Sequence, residues 1–248
     1  LTDSKVLFFD IFFKNNKIYM ILPIYNKPQT PEAITILNGS TVLKCSKKIV
    51  KNSYEPTLIF IYECLTKPTL ITVKHNNITK QFDLDVDPHV EPKKLTVTTL
   101  FKNDYKLFSI FYDYYKNQGV DDFQMYYNGI PTPEIISLFN KPDVTLITWP
   151  FRYWNSGVRY RHHAQMGQIH DALHRTNSEY IIFCDLDEYM HIPNHTLFSF
   201  IQNNPSIDVF GFNNRWSKTL DGKIPEVFPN KFKTCGKMKY HKRAKNIY

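Results

Sequence analysis

The sequence predicts two domains: a small all-β domain over residues 1–91, then an α/β domain with a Rossmann-like, mostly parallel sheet over residues 92–248. Three observations support this fold class. Short apolar runs separated by Asn, Gly and Pro fill the first part, which is typical of an antiparallel sandwich. Pro88 and Pro92 lie among charges in "DVDPHVEPKKL", which indicates a linker. After Lys94, strand-like runs alternate with helical patterns, and this alternation predicts parallel strands joined by helices.

The N-terminal domain begins with two apolar runs in "KVLFFDIFFKNNKIYMILPIY", on either side of Asn15-Asn16. Asparagines between two such runs predict a β-hairpin. Further strands are predicted in "STVLKCSKKIVK", "TLIFIYECL" and "TLITVKHNNITKQFDLDV". The four cysteines are too widely spaced for a zinc knuckle or a disulfide-dense scaffold, and a single bridge between Cys45 and Cys64 stays open.

The α/β domain is predicted from alternating strands and helices. Strands are predicted over residues 95–101, 122–128 and 143–151, and in "EYIIFCDLDEYM" and "DVFGFNNRW". Helices are predicted in "KNDYKLFSIFYDYYKNQG", "YRHHAQMGQIHDALHRTN" and "HTLFSFIQNN". The first of these begins at an N-cap, Asn103 or Asp104, and ends at Gly119. Ligands of such sheets bind at the carboxyl ends of the strands.

Charge and composition narrow the class of protein. The net charge of +8 and the pI of about 9.1 favour an anionic partner such as a nucleotide or a phosphate. A hydrophobic content of 42% excludes a disordered chain, and no apolar run is long enough to span a membrane. Because the chain begins with Leu1 and not Met, we expect a processed form or a piece of a longer protein. Its compartment stays open between the cytoplasm and the lumen of the secretory pathway.

A buried strand that runs into carboxylates is the main functional signal. In "YIIFCDLDEYM", the apolar run from Tyr180 to Cys184 leads directly into Asp185, Asp187 and Glu188. Adjacent carboxylates repel one another unless a cation, a proton or a basic partner relieves the repulsion. Hard oxygen ligands select Mg²⁺ or Mn²⁺, so we expect a divalent cation with a bound diphosphate at this strand end.

Two enzyme classes place Asp-x-Asp at the end of a strand. In haloacid-dehalogenase phosphatases, the motif lies on the first strand and continues with Thr or Val two positions after the second Asp. Here that position is Tyr189, and several strands precede it. In nucleotide-sugar glycosyltransferases of the GT-A type the motif lies in the middle of the domain, as it does here. A Mg²⁺-dependent phosphatase stays an alternative. A basic, non-enzymatic nucleic-acid-binding protein is the other, because "FRYWNSGVRYR" mixes arginines with aromatic residues.

Four blocks after Lys94 recur together in one family: "TLFKND", "YYKNQGVDDFQMYYN", "YIIFCDLDEY" and "RAKNIY". With them the chain resembles the family 92 glycosyltransferases, a GT-A group, from about Lys94 to the C-terminus. The resemblance implies transfer of a hexose, galactose or glucose, from a UDP-sugar, with Mn²⁺ or Mg²⁺ and inversion at the anomeric centre. The implied partners are the nucleotide-sugar donor and a glycan or protein-linked sugar acceptor, with no nucleic acid.

The resemblance also implies roles for single residues. Asp187 is expected to bind the metal that bridges the diphosphate, and Asp185 to bind the ribose or the same metal. The family pattern continues beyond "KNIY" to a histidine, for which His241 is the candidate as a third metal ligand. The remaining donor-site candidates are Thr99, Phe101, Lys102 and Asn103, at the end of the first strand, and Arg161, Gln165 and Gln168, on one face of a helix.

An inverting transfer needs a general base to take the proton of the acceptor hydroxyl. Asp221 and Glu226 are the candidates, because "SKTLDGKIPEVF" follows the carboxyl end of a strand, and Asp221 is preferred. The lysine-rich segment after Pro229 is either a solvated basic face or a phosphate-binding flank, and charge alone leaves both open. His170 and His174 have the spacing of a zinc helix, but Asp171 between them is too short to serve as the base, which predicts a structural or surface role.

Overall fold

The structure is a computed structural model. It describes residues 7–23, 30–51, 57–84, 91–153, 163–213, 217–218, 234–235 and 244–247. The chain forms two compact units: unit 1 comprises Leu1–Glu91 and Phe151–Asn177, and unit 2 comprises Pro92–Pro150 and Ser178–Tyr248. The predicted domains, 1–91 and 92–248, differ from these units in the assignment of residues 151–177.

The elements are named here in chain order. The strands of the first part are β1 (Asp10–Lys14), β2 (Lys17–Pro23), β3 (Ile34–Asn38), β4 (Thr41–Leu43), β5 (Cys45–Lys51), β6 (Thr57–Glu63), β7 (Leu70–His75) and β8 (Ile78–Asp83). The later strands are β9 (Lys93–Phe101), β10 (Asp122–Tyr127), β11 (Val144–Thr148), β12 (Ser178–Phe183), β13 (Phe210–Asn213), β14 (Ser217–Lys218), β15 (Thr234–Cys235) and β16 (Ala244–Ile247). The helices are α1 (Phe108–Asn117), α2 (Pro133–Phe139), α3 (His163–Arg175) and α4 (Leu197–Gln202).

Unit 1 contains two four-stranded antiparallel sheets, in the orders β1-β2-β6-β5 and β4-β3-β7-β8. Alternate residues of both sheets enter one buried cluster, which includes Met20 and Phe60 from the first sheet and Ile36 and Ile71 from the second. The sheets therefore pack face to face, since side chains alternate between the two faces of a strand. The predicted all-β N-terminal part is confirmed.

The predicted hairpin forms between β1 and β2. Asn15 and Asn16 have φ angles of 50° and 58°, the left-handed conformation that a two-residue hairpin turn requires. Asparagine adopts this conformation more readily than most residues, so the prediction from Asn15-Asn16 is confirmed. Cys45 and Cys64 are free thiols, so the bridge that the sequence left open is absent. The thiol of Cys64 donates instead to the carbonyl oxygen of Thr66 at 3.1 Å.

Helix α3 packs on the first sheet of unit 1. Gly167 allows the close approach, because a Cβ at this position would overlap the ring of Phe9. The guanidinium of Arg175 pairs with Asp10 and, at 3.4 Å, with the buried carboxylate of Asp171. It also lies 4.4 Å from the centre of the Phe12 ring. Arg175 and Asp171 thus have a structural role in unit 1.

The C-terminal end of α3 is held by Lys14 of β1. The ammonium of Lys14 donates to the carbonyl oxygens of His174 at 3.0 Å and Arg175 at 3.2 Å, and also to that of Thr176. The last carbonyls of a helix have no partner within the helix, so a lysine there satisfies them and complements the helix dipole. The ring of His174 stacks on Tyr19 at 5.7 Å. Among the described helices none is long and apolar enough to cross a membrane.

Unit 2 contains a six-stranded sheet in the order β11-β10-β9-β12-β16-β13. The first four strands are parallel, and β16 lies antiparallel between β12 and β13. The predicted parallel, Rossmann-like sheet is therefore confirmed for β9 to β12, while the sheet as a whole is mixed. One face carries the apolar core, in which Val97 and Met125 pack with helical residues such as Phe111, Ile135 and Leu197.

Helix α1 begins differently from the prediction. A 3-10 turn over Tyr105–Leu107 precedes it, and Leu107 occupies the N-cap position of α1. The carboxylate of Asp104 accepts a bond from the Lys102 amide at 3.1 Å, so neither predicted residue caps α1. The predicted end is right, because Gly119 has a φ of +91°, a conformation that favours glycine after a helix.

Candidate active site

The parallel strands of unit 2 define where a ligand is expected. β9, β10, β11 and β12 follow one another along the chain, but across the sheet their order is β11-β10-β9-β12. The direction of sheet growth therefore reverses between β9 and β12. Ligands of open α/β sheets bind outside the carboxyl ends of the strands at such a switch point. Lys102 follows β9 at this edge, and Cys184 and Asp185 follow β12.

The residues after β12 form a tight β-turn. The amide of Glu188 donates to the carbonyl oxygen of Asp185 at 3.0 Å, with Leu186 and Asp187 at the centre of the turn. In the opposite direction, the amide of Asp185 donates to the carboxylate of Glu188 at 2.9 Å. Leu186 is fully buried, whereas Asp187 is exposed and Asp185 is half-buried. The three carboxylates that follow β12 therefore have three different environments.

Helix α1 holds the segment that follows this turn. The hydroxyl of Tyr115 donates to the carbonyl oxygen of Glu188 at 3.0 Å and accepts a bond from the amide of Met190 at 3.3 Å. The hydroxyl of Tyr114 donates to the carbonyl oxygen of Met190 at 2.6 Å. The ring of Tyr189 lies edge-on to Tyr114 at 5.0 Å. These contacts fasten residues 188–190 to the core.

The tyrosines around the turn stay protonated. Burial raises the pKa of Tyr115 well above its ordinary value, and the neighbouring Cys184 adds to the effect. Burial also raises the pKa of Tyr189, with a further contribution from the negative charge of Asp187. A phenol with a raised pKa keeps its proton at neutral pH and remains a hydrogen-bond donor.

The predicted residues of β9 have different surroundings. Thr99 is 2% exposed, and its hydroxyl has no hydrogen-bond partner among the described residues. A buried hydroxyl without a hydrogen-bond partner lowers the stability of the folded state, so Thr99 is a position where a polar partner is absent from the described residues. The ring of Phe101 is buried and stacks on Phe139 at 4.8 Å, so it serves the core. Lys102 and Asn103 are exposed at the end of the strand.

The described acidic residues offer a limited set of metal ligands. Within the described part of the chain, no three His, Cys, Asp or Glu side chains cluster as a metal site. Asp185 and Asp187 are the two aspartates at the turn, and one carboxylate oxygen of Glu188 bonds to the backbone. Mg²⁺ typically binds one or two protein carboxylates together with substrate phosphates and water, so this hard-oxygen set fits such an ion. His241 lies outside the described residues, as do Arg161, Asp221 and Glu226.

The two predicted glutamines lie in the other unit. Gln165 and Gln168 belong to α3, which packs in unit 1. Gln165 accepts a hydrogen bond from the hydroxyl of Tyr153 at 3.4 Å, and Gln168 is buried. Six predicted residues lie in or directly after the neighbouring strands β9 and β12 of unit 2. These are Thr99, Phe101, Lys102, Asn103, Asp185 and Asp187.

Sequence reasoning missed some residues that shape this edge. The side-chain amide of Asn128 donates to the carbonyl oxygen of Trp149 at 3.0 Å, and its backbone amide donates to Phe101 O at 2.8 Å. Asn128 thereby joins the ends of β9, β10 and β11. The hydrogen bond between Glu188 and the Asp185 amide could have been predicted from the sequence. A Glu three residues after an Asp resembles the capping box, in which the Glu side chain bonds back to a backbone amide.

Comparison with known proteins identifies the family. Among curated proteins, no protein matches the chain. The model of Glycosyltransferase family 92 matches residues 95–248, which is more than half of the chain and spans β9 to β16. The matched range includes the strand end with Asp185 and Asp187. The chain therefore belongs to glycosyltransferase family 92 and is a glycosyltransferase.

Proposed function

We propose that the protein transfers a hexose, galactose or glucose, from a UDP-sugar to a glycan or protein-linked sugar acceptor, with the help of Mn²⁺ or Mg²⁺. One observation carries the proposal: in a family 92 chain, the turn with Asp185 and Asp187 lies at the switch point between β9 and β12. A nucleotide diphosphate is bound with a cation at the carboxyl ends of parallel strands, and the carboxylates of Asp185 and Asp187 at this position support such a site.

The residues of this edge have separate proposed roles. Asp187, which is exposed, and Asp185 hold the metal, which supplies Lewis-acid stabilisation of the leaving diphosphate when bound. Lys102 and Asn103, exposed at the end of β9, contact the nucleotide. The buried hydroxyl of Thr99, which lacks a described partner, supports a polar contact at the same strand end. Because the ring of Phe101 packs in the core, its contribution to the nucleotide site is support of this strand end.

The chemical step is proposed to invert the anomeric centre. A carboxylate takes the proton of the acceptor hydroxyl while that oxygen attacks the anomeric carbon and the diphosphate leaves. Asp221 is our first candidate for this base and Glu226 the second. His241 is proposed as the third metal ligand, and Arg161, Gln165 and Gln168 as donor-site residues. The family assignment argues against the two alternatives from the sequence, a phosphatase and a nucleic-acid-binding protein.

The donor site is tested by thermal unfolding with UDP and Mn²⁺, each alone and together, on the wild type and on Asp187→Ala. A ligand at 100 times its dissociation constant adds about 2.7 kcal/mol to the free energy of unfolding. We expect this stabilisation only with both ligands, and we expect it in the wild type but not in Asp187→Ala. Asp113→Ala is the matched control, because Asp113 is an exposed carboxylate on α1, and its response should equal that of the wild type.

Two outcomes would contradict the proposal. Equal stabilisation of Asp187→Ala would remove Asp187 from the metal site. Absence of stabilisation in the wild type at millimolar ligand would reject the nucleotide site as assigned. If the site holds, turnover of UDP-galactose and UDP-glucose, measured as release of UDP, separates the two sugars, which differ in the orientation of one hydroxyl.

A further inference from the structure

We propose that Glu188, the third carboxylate of the cluster, is a positioning residue that shapes the turn bearing Asp185 and Asp187, and not a ligand of the metal. The contact that assigns this role is the hydrogen bond from the Asp185 amide to the Glu188 carboxylate at 2.9 Å. The inference rests on the proposed function for the role of the two aspartates. The part of the inference that concerns the shape of the turn depends only on the hydrogen bonds described here.

The bond to Glu188 continues the hydrogen bonding of β12 beyond the end of the strand. Strand pairing with β9 ends at Phe183, which pairs with Thr98, and the Cys184 amide still reaches Thr98 O at 3.4 Å. The next amide along the chain, that of Asp185, bonds to the carboxylate of Glu188 at 2.9 Å. A carboxylate accepting from a backbone amide makes a charge-assisted bond, which is stronger than a neutral one. Glu188 therefore supplies a charged acceptor to a backbone amide just beyond the end of β12.

The segment is held at every second residue. Cys184 is held through its amide, Leu186 is buried, Glu188 bonds through its amide and side chain, and Met190 is both buried and bonded to Tyr115. The aspartates occupy alternate positions between these fixed points. A fixed backbone on both sides of each aspartate limits the positions of the two carboxylates before any ligand binds. Such preorganisation favours binding, because less conformational freedom is lost.

Tyr115 extends the same support from helix α1. Its hydroxyl donates to the carbonyl oxygen of Glu188 and accepts from the amide of Met190, so one side chain joins two backbone groups. Burial keeps this hydroxyl protonated, which preserves the donated bond at neutral pH. Tyr115→Phe removes both bonds and retains the ring. This substitution therefore probes the support of the turn without altering a carboxylate.

The test compares Glu188→Gln with Glu188→Ala, and uses Glu134→Gln as the control at an exposed glutamate of α2. Glutamine keeps an oxygen acceptor for the Asp185 amide and removes the charge. The first readout is amide hydrogen exchange of Asp185 by NMR in metal-free protein. We expect about tenfold faster exchange in Glu188→Ala and near-wild-type exchange in Glu188→Gln, because loss of one supported bond changes local opening on that order. Tyr115→Phe should accelerate exchange of the Met190 amide.

The second readout is the dissociation constant of UDP with saturating Mn²⁺. Loss of a group that orients metal ligands weakens binding by about 10-fold or more, so we expect this for Glu188→Ala and recovery within about threefold for Glu188→Gln. A Glu188→Gln protein that loses binding as completely as Asp187→Asn would make Glu188 a ligand and overturn the proposal. Unchanged Asp185 exchange in Glu188→Ala would overturn it as well.

The experiment separates this inference from the proposed function. A wild type that binds no UDP with Mn²⁺ contradicts the proposed function, whereas the exchange of the Asp185 amide still decides whether Glu188 shapes the turn. If Glu188→Ala does not fold, the comparison of Glu188→Gln with Asp187→Asn decides between positioning and ligation. Near-wild-type binding by Glu188→Gln then supports positioning, and loss of binding overturns it.

Discussion

In unit 1 charged groups hold the C-terminal end of helix α3 on its sheet, whereas in unit 2 aromatic and aliphatic side chains form the core between the helices and the sheet. Arg175 pairs with Asp10 while Lys14 bonds to the carbonyls at the end of α3. In unit 2, by contrast, the ring of Phe108 on α1 stacks on Phe139 of α2 at 3.8 Å. Ion pairs demand particular partners at particular positions, while apolar packing tolerates exchange of similar side chains.

This difference bears on how the family segment folds. The match to family 92 covers residues 95–248, and this range includes α3. The contacts of His174, of Arg175 and of the carbonyls at the C-terminal end of α3, however, are made with β1 and β2 of unit 1, outside the matched range. The polar anchors of α3 therefore come from a segment that the family pattern does not include. We infer that α3 depends on residues 1–91 for its packing.

The largest effect is expected from deletion of residues 1–91. The deletion removes the sheet on which α3 packs and exposes its buried residues, among them Ala164, Asp171 and Arg175. Loss of this burial and of the ion pairs should leave α3 without its packing surface, and should lower the helical content and the melting temperature of the truncated chain. Circular dichroism and size-exclusion chromatography measure the outcome. A truncated chain that is monomeric and melts cooperatively at the wild-type temperature would refute the dependence on unit 1.

Arg175→Met tests, at a single side chain, how much the charged groups stabilise unit 1. It removes the cation that pairs with Asp10 and with the fully buried carboxylate of Asp171. Removing one partner of a buried ion pair costs about 3–5 kcal/mol, so we expect a loss of this size in urea unfolding. Lys17→Met is the control, because Lys17 lies 3.9 Å from Glu63 and the two side chains are 42% and 51% exposed. The control should change stability by less than about 0.5 kcal/mol.

Two glycines with left-handed backbones allow a matched comparison between the units. Gly119 has a φ of +91°, and a Cβ there would overlap Phe198 of α4. Gly39 of unit 1 has a φ of +59°, and no atom of the residues that the structure describes lies within 4 Å of a Cβ at that position. We expect Gly119→Ala to cost about 2–4 kcal/mol, from strain and overpacking together, and Gly39→Ala about 1 kcal/mol, from strain alone. Equal losses in thermal unfolding would show that crowding at Phe198 contributes nothing.

The smallest effect concerns the charged group that flanks the apolar core of unit 2. Asp143 accepts bonds from Lys116 at 2.6 Å and from the hydroxyl of Tyr112 at 2.9 Å. Burial by itself raises the pKa of Asp143, but these bonds outweigh it and lower the pKa below the ordinary value. Burial and the bond to Asp143 raise the pKa of Tyr112 to about 12.

The lowered pKa of Asp143 sets the pH range in which its carboxylate stabilises the fold. A carboxylate with a depressed folded-state pKa stabilises the fold above its unfolded pKa, and this contribution is lost as the pH falls through the folded pKa. We therefore expect Asp143→Asn to cost about 1 kcal/mol at pH 7, and the difference from wild type to begin to shrink near the unfolded pKa of about 4 and to vanish once the pH has fallen below the lower folded pKa. Asp113→Asn, at an exposed position of α1, should leave stability nearly unchanged. A loss for Asp143→Asn that persists at pH 2 would rule out the ionic origin.

Much of the local structure could be predicted because it depends on residues close together in the sequence. The hairpin at Asn15-Asn16 and the end of α1 at Gly119 both follow from backbone conformations that few residues adopt. The predicted start of α1 was wrong, because the carboxylate of Asp104 accepts a bond from the Lys102 amide within the loop and does not cap the helix. The short side chain of aspartate can bond to nearby backbone amides in either way. The position of Asp185 and Asp187 at a strand end follows from the apolar run before them.

By itself, the sequence determined the kinds of element, their order, the strand end with its carboxylates and the resemblance to family 92. Only the tertiary structure decided which sheet receives α3, how β16 enters the sheet of unit 2, and that the carboxylate of Glu188 bonds to the backbone while Asp187 is exposed. The physical reason is that periodicity records which face of an element is apolar and not which partner covers it. The partner depends on residues distant in the sequence, such as Asp10 and Lys14 for α3.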